Sequence, residues 1–190
     1  MKVNKIRKLT KQKWLNLYVA KYSHNNHDGQ WIFASRKNQP AIPNTNPEAV
    51  IIVPVLKQKG KPNKLIVIKE FRVPVGCYTY GFPAGLIDQG ETVETTIKRE
   101  MIEETGFEVS KIRKVTMPLY SSMGLTDEAI VMAYVDVKFN QGAKPEPSED
   151  IEVLFLDFAE VCKLCDKPDL PIDAKMWATL YMYQQLGEIV

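Results

Sequence analysis

Hydrophobic and polar residues alternate along the first 36 residues in the manner of β-strands, which predicts a small antiparallel sheet. Its clearest strands are WLNLYVAKY and WIFASR, and the HNNHDGQ between them contains an Asp-Gly pair that favours a tight turn. After a Pro/Asn-rich connector, the apolar runs AVIIVPVL and KLIVIKEF predict two core strands across the turn KQKGKPNK. The pattern therefore predicts an N-terminal sheet over residues 1–40 and a larger domain over residues 41–190.

The larger domain combines strands with two helices. One helix is predicted over residues 93–105, with Thr92 as the N-cap and Gly106 as the stop, and a final helix over residues 174–186. Further strands are predicted near residues 117–120, 129–139 and 152–156. The order of strands, helix, strands and helix indicates an α/β fold of mixed layers rather than a doubly wound parallel sheet.

Composition narrows the class of protein. The chain has 190 residues, of which 45% are hydrophobic, enough for one well-filled core with a small appended sheet. The 25 Lys and Arg against 23 Asp and Glu give a net charge of +2, so no bulk attraction to nucleic acid or membranes is expected. The longest apolar run is too short to span a bilayer, and the basic N-terminal segment lacks the apolar stretch of a secretory signal. We therefore expect a cytoplasmic protein.

Two of the three cysteines, Cys162 and Cys165, form a C-x-x-C pair that could bind zinc or act in redox chemistry. A structural zinc site usually shows two such ligand pairs, and no redox-type strand and helix surround this one. The sequence DFAEVCKLC instead favours a short helix in which both cysteines serve as small apolar residues.

Three glutamates crowd the C-terminal end of the first predicted helix. Glu100, Glu103 and Glu104 share one helix face, where the helix dipole presents partial negative charge. One interpretation is a solvated acidic face in which Arg99 partly compensates Glu103. The other is a site for Mg²⁺ or Mn²⁺, since hard divalent cations take carboxylate oxygens as ligands. The preceding GFPAGLIDQG has the glycine and proline content that lets the backbone approach such a site.

This segment resembles the Nudix box without a gap. Its fixed positions are Gly85, Glu91 after five residues, Arg99-Glu100 after seven more, apolar Met101, Glu103-Glu104, Gly106 and apolar Phe107. The resemblance implies a Nudix α/β/α sandwich with a mixed sheet. It also implies a hydrolase for a nucleoside diphosphate linked to another group, with Mg²⁺ as cofactor and Mn²⁺ as the alternative.

The resemblance also implies roles for the residues of the box. Glu100 and Glu104 resemble the principal metal ligands, with Glu103 assisting and the carbonyl of Ala84 completing the site. The residues that brace the loop–helix–loop are Arg99 and Glu91.

Outside the box, residues 14–186 resemble the ADP-ribose and ADP-sugar pyrophosphatases. Arg72 in EFRVPVG is similar to an arginine that contacts the diphosphate, and a salt bridge at the rim of the site is the alternative. Trp14 and Trp31 resemble tryptophans of an N-terminal sheet that sandwich adenine, one from each subunit of a homodimer, and Arg36 resembles a neighbouring ligand-binding arginine. The alternative for the tryptophans is packing in the sheet or in a dimer interface.

Glu149 in PSEDIEV resembles the catalytic glutamate of that subfamily, and Glu146 and Glu128 are alternative bases. The subfamily usually carries Ser-Pro-Gly where this chain has Ser122, Met123 and Gly124, with Gly124 as a substrate-binding position. Proline fixes the φ angle of the loop and methionine does not, so the sugar or nucleoside stays open.

The resemblance thus implies Mg²⁺-dependent hydrolysis of ADP-ribose or a related ADP-sugar to AMP and a sugar phosphate. One alternative is another nucleoside diphosphate derivative, such as a UDP- or GDP-sugar or a dinucleoside polyphosphate. A non-catalytic Nudix domain that binds ADP-ribose is the other. The complete set of glutamates favours catalysis.

Overall fold

A computed structural model describes residues 1–144, 149–167, 169–187 and 189. Two compact units make up the chain: Met1–Glu48 with Met117–Val131 forms unit 1, and Ala49–Thr116 with Met132–Val190 forms unit 2. The domain boundary near residue 40 stays a prediction. The described elements, in chain order, are β1 (Lys2–Lys8), β2 (Asn16–His24), β3 (His27–Ser35), β4 (Ala49–Leu56), β5 (Lys64–Arg72), β6 (Cys77–Gly81), β7 (Ala84–Leu86), α1 (Val93–Glu100), a π-helix (Met101–Thr105), β8 (Phe107–Val115), β9 (Leu119–Tyr120), β10 (Ala129–Phe139), β11 (Ile151–Leu156), α2 (Phe158–Cys165) and α3 (Ala174–Leu186).

Unit 1 contains the small sheet that the alternating pattern predicts. Its strands pair in the order β1-β2-β3, all antiparallel. The turn between β2 and β3 lies at Asn25 and Asn26, which have φ angles of 47° and 63°, and not at the predicted Asp-Gly pair. Asparagine tolerates the left-handed conformation that both central positions of such a turn require, so Asp28 and Gly29 continue into β3.

Most strands of the larger sheet belong to unit 2; the strand order is β11-β5-β4-β10-β8, with β6 beside β5, β7 beside β4 and β9 beside β10. The predicted core strands β4 and β5 are confirmed. Their apolar residues are buried on both faces, as the unbroken hydrophobic runs suggested. Fully buried side chains of this core include Val50, Ile52, Val53, Ile66, Val67, Ile97 and Met101. The α/β class with a small antiparallel sheet is confirmed.

The helix predicted over residues 93–105 has two parts. Thr92 caps α1 as predicted, because its hydroxyl accepts from the N–H of Thr95 and the Thr95 hydroxyl accepts from the N–H of Thr92. From Met101 onward the helix widens into a π-helix. The hydroxyl of Thr105 donates to the carbonyl of Met101, the acceptor that an α-helical N–H would use. Gly106 then ends the segment with a φ of 76°.

Three strands were not predicted. Strands β6 and β7 lie in a Pro/Gly-rich stretch, and β8 carries lysines on exposed positions. The short helix α2 and the final helix α3, capped by Asp157 and Asp173, lie where the sequence predicts them. None of the helices in the described ranges has the length and apolar character needed to cross a membrane.

Candidate functional site

Arg99 joins the end of α1 to the loop before the helix. Its Nε and Nη2 donate to the two oxygens of Glu91 at 2.9 and 3.0 Å, and Nη2 also donates to the carbonyl of Leu86 at 3.0 Å. Its Nη1 donates to Oε1 of Glu100 at 2.7 Å and to Oε2 of Glu103 at 3.0 Å. One guanidinium therefore contacts three carboxylates and one backbone carbonyl. The planar fork of arginine suits such multiple contacts better than lysine.

Glu91 is the most strongly held of these carboxylates. Besides Arg99, it accepts from the hydroxyl of Thr96 at 2.8 Å and from the N–H of Asp88 at 3.3 Å. Hydrogen bonds from Arg99 and then Thr96 lower its pKa to about 2. Glu91 is therefore ionised throughout the neutral range and ties the loop to the helix.

Glu104 is buried, with 3% of its surface exposed. Its Oε2 accepts from the N–H of Ala84 at 3.0 Å. Burial and then the charge of Glu100 raise its pKa to about 9, with smaller contributions from Glu149 and Glu70. The backbone N–H opposes this shift but does not offset it, so the cation-free protein holds a proton on Glu104 at neutral pH.

Glu100 lies against β7 and is also buried, with 7% of its surface exposed. Burial raises its pKa, and Arg99 opposes that shift. Gly85 makes room for this carboxylate, because a Cβ at that position would lie 1.7 Å from Oε1 of Glu100. The glycine of the box is therefore required by close approach to a side chain.

The donor set fits a divalent cation. The buried carboxylate of Glu104 accepts a hydrogen bond from the backbone N–H of Ala84, which offsets only part of the cost of burying a charge. The carboxylate of Glu100 occupies the space that a Cβ on Gly85 would fill. Carboxylate oxygens are the ligands that Mg²⁺ and Mn²⁺ prefer. In the described part of the chain, no three acidic, histidine or cysteine side chains are already arranged around one point. The ligand roles of Glu100, Glu103, Glu104 and the Ala84 carbonyl therefore stay predictions.

Glu70 is a member of this acidic region that the sequence reasoning missed. Its side chain is 14% exposed, and its Oε2 lies 2.9 Å from Nη2 of Arg72. Burial raises its pKa, Arg72 lowers it, and the charge of Glu149 raises it further. The available signal was strand alternation, which places residues 70 and 72 on one face of β5.

Glu149 and the alternative bases lie in different surroundings. The charge of Glu149 raises the pKa values of Glu100 and Glu104, so it lies within electrostatic reach of the buried carboxylates. Glu128 instead lies 3.3 Å from Nε of Arg36 and accepts from Ser121. The alternative Glu146 falls outside the described residues.

The two tryptophans of unit 1 are accessible. Trp14 is 72% exposed, with Nζ of Lys13 lying 4.3 Å from its ring centroid, and Trp31 is 52% exposed. The indole N–H of Trp31 donates to the carbonyl of Gly124 at 3.1 Å. Within unit 1, Trp31 and Met123 border a mainly apolar cavity of about 410 Å³, which is within the size range of small-molecule sites.

Residues 45–179 match the family model described as NUDIX domain. This range is more than half of the chain, so the chain belongs to the Nudix hydrolase family, and the resemblance of the box is confirmed. Members of this family generally use divalent metal ions.

Two relatives and one solved structure are similar along most of the chain. Putative nudix hydrolase 2 of Caenorhabditis elegans is 31% identical over 143 residues, which are 75% of this chain and 61% of that protein. The chain thus spans less than two thirds of that relative. ADP-ribose pyrophosphatase of Saccharomyces cerevisiae is 31% identical over 176 residues, 86% of this chain and 74% of the relative. A crystal structure of an ADP compounds hydrolase shares the fold with a TM-score of 0.75 and 20% identity, covering 97% of this chain and 92% of that one.

Proposed function

We propose that the protein hydrolyses the diphosphate bond of ADP-ribose or a related ADP-sugar and releases AMP and a sugar phosphate. The observation that carries this proposal is a buried pair of carboxylates inside a complete Nudix box: Glu100 lies against Gly85, and Glu104 accepts from the N–H of Ala84. The pKa values of both neighbouring carboxylates are raised, and a cation would stabilise the pair when both are ionised. Relatives that carry the name ADP-ribose pyrophosphatase support the choice of substrate.

Mg²⁺ is the proposed cofactor, and Mn²⁺ is expected to replace it. When bound, the cation neutralises the diphosphate and lowers the pKa of the attacking water. Glu100 and Glu104 are the proposed main ligands, with Glu103 and the carbonyl of Ala84 assisting. The bracing residues, Arg99 and Glu91, keep the helix end attached to its loop, and this fixes where the carboxylates point.

Glu149 is the proposed general base, accepting a proton on its carboxylate from the attacking water. Its charge already acts on Glu100 and Glu104, and a base must lie near the water that these ligands help to position. Arg72 is proposed to bind the diphosphate oxygens, and its ion pair with Glu70 orients the guanidinium before the substrate binds.

Trp14 and Trp31 are proposed to stack on the adenine base, one from each subunit of a homodimer, with Arg36 and Gly124 beside them. Both rings are exposed, as a stacking surface must be, and stacking on one aromatic face contributes roughly 1 to 3 kcal/mol. The carbonyl of Gly124 holds the indole of Trp31 in place.

A second candidate keeps the reaction and changes the nucleotide. Met123 is 80% exposed and borders the same cavity as Trp31, where the subfamily usually has a proline. A flexible methionine can repack around a different base or sugar. A GDP- or UDP-sugar or a dinucleoside polyphosphate is therefore the alternative substrate.

A substrate panel with Mg²⁺ tests the proposal, with AMP or the corresponding nucleotide as the readout. ADP-ribose and ADP-glucose are compared with UDP- and GDP-sugars, a dinucleoside polyphosphate and ATP. We expect AMP from the ADP-sugars and a loss of kcat of at least about a hundredfold in Glu104→Gln. Glu108→Gln is the matched control, since Glu108 pairs with Lys138 and is not one of the proposed ligands. Turnover of no substrate, or a fully active Glu104→Gln variant, contradicts the proposal.

A further inference from the structure

The residue after the proposed base is held by two contacts. The hydroxyl of Tyr78 on β6 donates a hydrogen bond to Oδ2 of Asp150. The carbonyl of Asp150 accepts from the N–H of Phe71 on β5 at 3.3 Å. Side chain and backbone of one residue are thus fixed to two neighbouring strands, at the point where β11 begins.

These contacts lie on one face of the sheet. Phe71 is paired with Tyr78 across β5 and β6, and the pairing of Ile151 with Glu70 places Asp150 opposite Phe71. Residues directly opposite each other in an antiparallel pair share a face. Asp150, Phe71 and Tyr78 therefore form one row across three strands.

Strand alternation predicts that Glu149 belongs to the opposite face. Successive side chains of an extended chain alternate between faces, so Glu149 follows the face of Glu70 and Arg72 when Asp150 is held in the row of Tyr78. The charge of Glu149 acts on Glu70 and on the buried Glu104, which agrees with this placement.

Tyr78 is 42% exposed, and its ring makes two further contacts. It meets the ring of Phe71 edge to face with centroids 5.4 Å apart, and Nζ of Lys69 lies 5.2 Å from its centroid. Lys69 in turn pairs with Glu152 at 3.1 Å. These contacts favour a ring orientation in which the hydroxyl of Tyr78 reaches Asp150.

We propose that Tyr78 and Asp150 are positioning residues for Glu149, because their hydrogen bond on one face of the sheet holds the backbone in the register that presents Glu149 on the other. Neither residue contacts the substrate in this role. The inference rests on the proposed function of Glu149 as the base.

Four variants test the pair. Tyr78→Phe and Asp150→Ala each remove the hydrogen bond, whereas Asp150→Asn retains an acceptor oxygen. Tyr80→Phe is the matched control, since it removes a hydroxyl two residues along β6 that acts on Lys69 and not on Asp150. The measurements are amide hydrogen exchange of Phe71 without substrate, and kcat and KM for ADP-ribose with Mg²⁺.

We expect the Phe71 amide to exchange at least about tenfold faster in Tyr78→Phe and Asp150→Ala, because opening of this strand end becomes easier. In both variants kcat falls roughly tenfold while KM stays within about twofold, since a small displacement of the base affects the chemical step. A fifth variant that combines Tyr78→Phe with Asp150→Ala is no worse than either single one. Asp150→Asn and Tyr80→Phe stay near the original values.

If the Phe71 amide exchanges at an unchanged rate in Tyr78→Phe, the hydrogen bond to Asp150 does not hold this strand end, whatever the activity. Faster exchange with unchanged kcat overturns the positioning role. Failure of the proposed function is recognised separately, by a Glu149→Gln variant that keeps its turnover or by a protein that releases no AMP. A general base is worth about a hundredfold or more, so these outcomes are well separated.

Discussion

Replacing Glu104 by glutamine is expected to stabilise the protein without cation at neutral and alkaline pH. Burial raises the pKa of Glu104 from 4.5 to about 9. Between these values the folded protein keeps a proton that the unfolded chain has lost, so the free energy of unfolding falls as pH rises. The fall is about 1.4 kcal/mol per pH unit, or on the order of 3 kcal/mol at pH 7 relative to pH 4.5. Glutamine has the same shape and no proton to lose.

Urea unfolding followed by tryptophan fluorescence measures this difference in EDTA at pH 5, 7 and 8.5. Glu104→Gln should match the original protein near pH 5 and exceed it by a margin that grows with pH, levelling off near pH 9. Mg²⁺ should reverse the order, since a cation stabilises the ionised carboxylate and has less to bind in the glutamine variant. Glu108→Gln, on a side chain that is 45% exposed, is the control.

A pH-independent difference between the two proteins would refute the raised pKa of Glu104. Lower stability of the glutamine variant at pH 8.5 in EDTA would show that the ionised carboxylate is satisfied without a cation. Equal stabilisation of both proteins by Mg²⁺ would remove Glu104 from the ligand set. Each result addresses a different step of the reasoning, so the pH series and the Mg²⁺ series are both needed.

Gly85→Ala should raise the Mg²⁺ concentration for half-maximal rate at least about tenfold, because the new Cβ displaces the carboxylate of Glu100. Gly81→Ala should leave this concentration unchanged, because its Cβ would meet no atom within 4 Å. A Mg²⁺ titration of the rate measures both. Glu91→Gln should lower the free energy of unfolding at pH 7, because the contact with Arg99 weakens. Since the pKa of Glu91 is lowered from 4.5 to about 2, the deficit should shrink only as the pH falls through this range, and urea unfolding measures it. Trp31→Ala should raise KM for ADP-ribose at least about fivefold with kcat nearly unchanged, in steady-state kinetics.

Local signals predicted the elements that depend on local interactions. Thr92 and Asp173 cap α1 and α3 as expected, because a side-chain oxygen that accepts from free backbone N–H groups stabilises the first turn of a helix. The π-helix was not predicted, and within it the hydroxyl of Thr105 donates to the carbonyl of Met101. Spacing alone cannot distinguish a solvent-facing threonine from one that bonds to its own helix.

The site was predicted only in part, because some of its contacts join residues far apart in the sequence. The spacing of the box identified the glutamates that lie on one helix end, but it could not identify Glu70 or the contact of Tyr78 with Asp150. Those depend on strand register, which joins residues 72 positions apart in the sequence for Tyr78 and Asp150. Register is set by which face of each strand is buried and by the turns between strands, so no short segment alone shows which distant residues meet.

The crowding of negative charge at the end of α1 is tolerated because the carboxylates are not equivalent. Glu100 and Glu103 share Nη1 of Arg99, and burial keeps Glu104 protonated, so three glutamates bring less than three negative charges to the helix end. A cation that recruits Glu104 must therefore displace its proton. Binding of the cation and loss of this proton are linked, and the affinity for Mg²⁺ should rise with pH until Glu104 is ionised by itself, near pH 9.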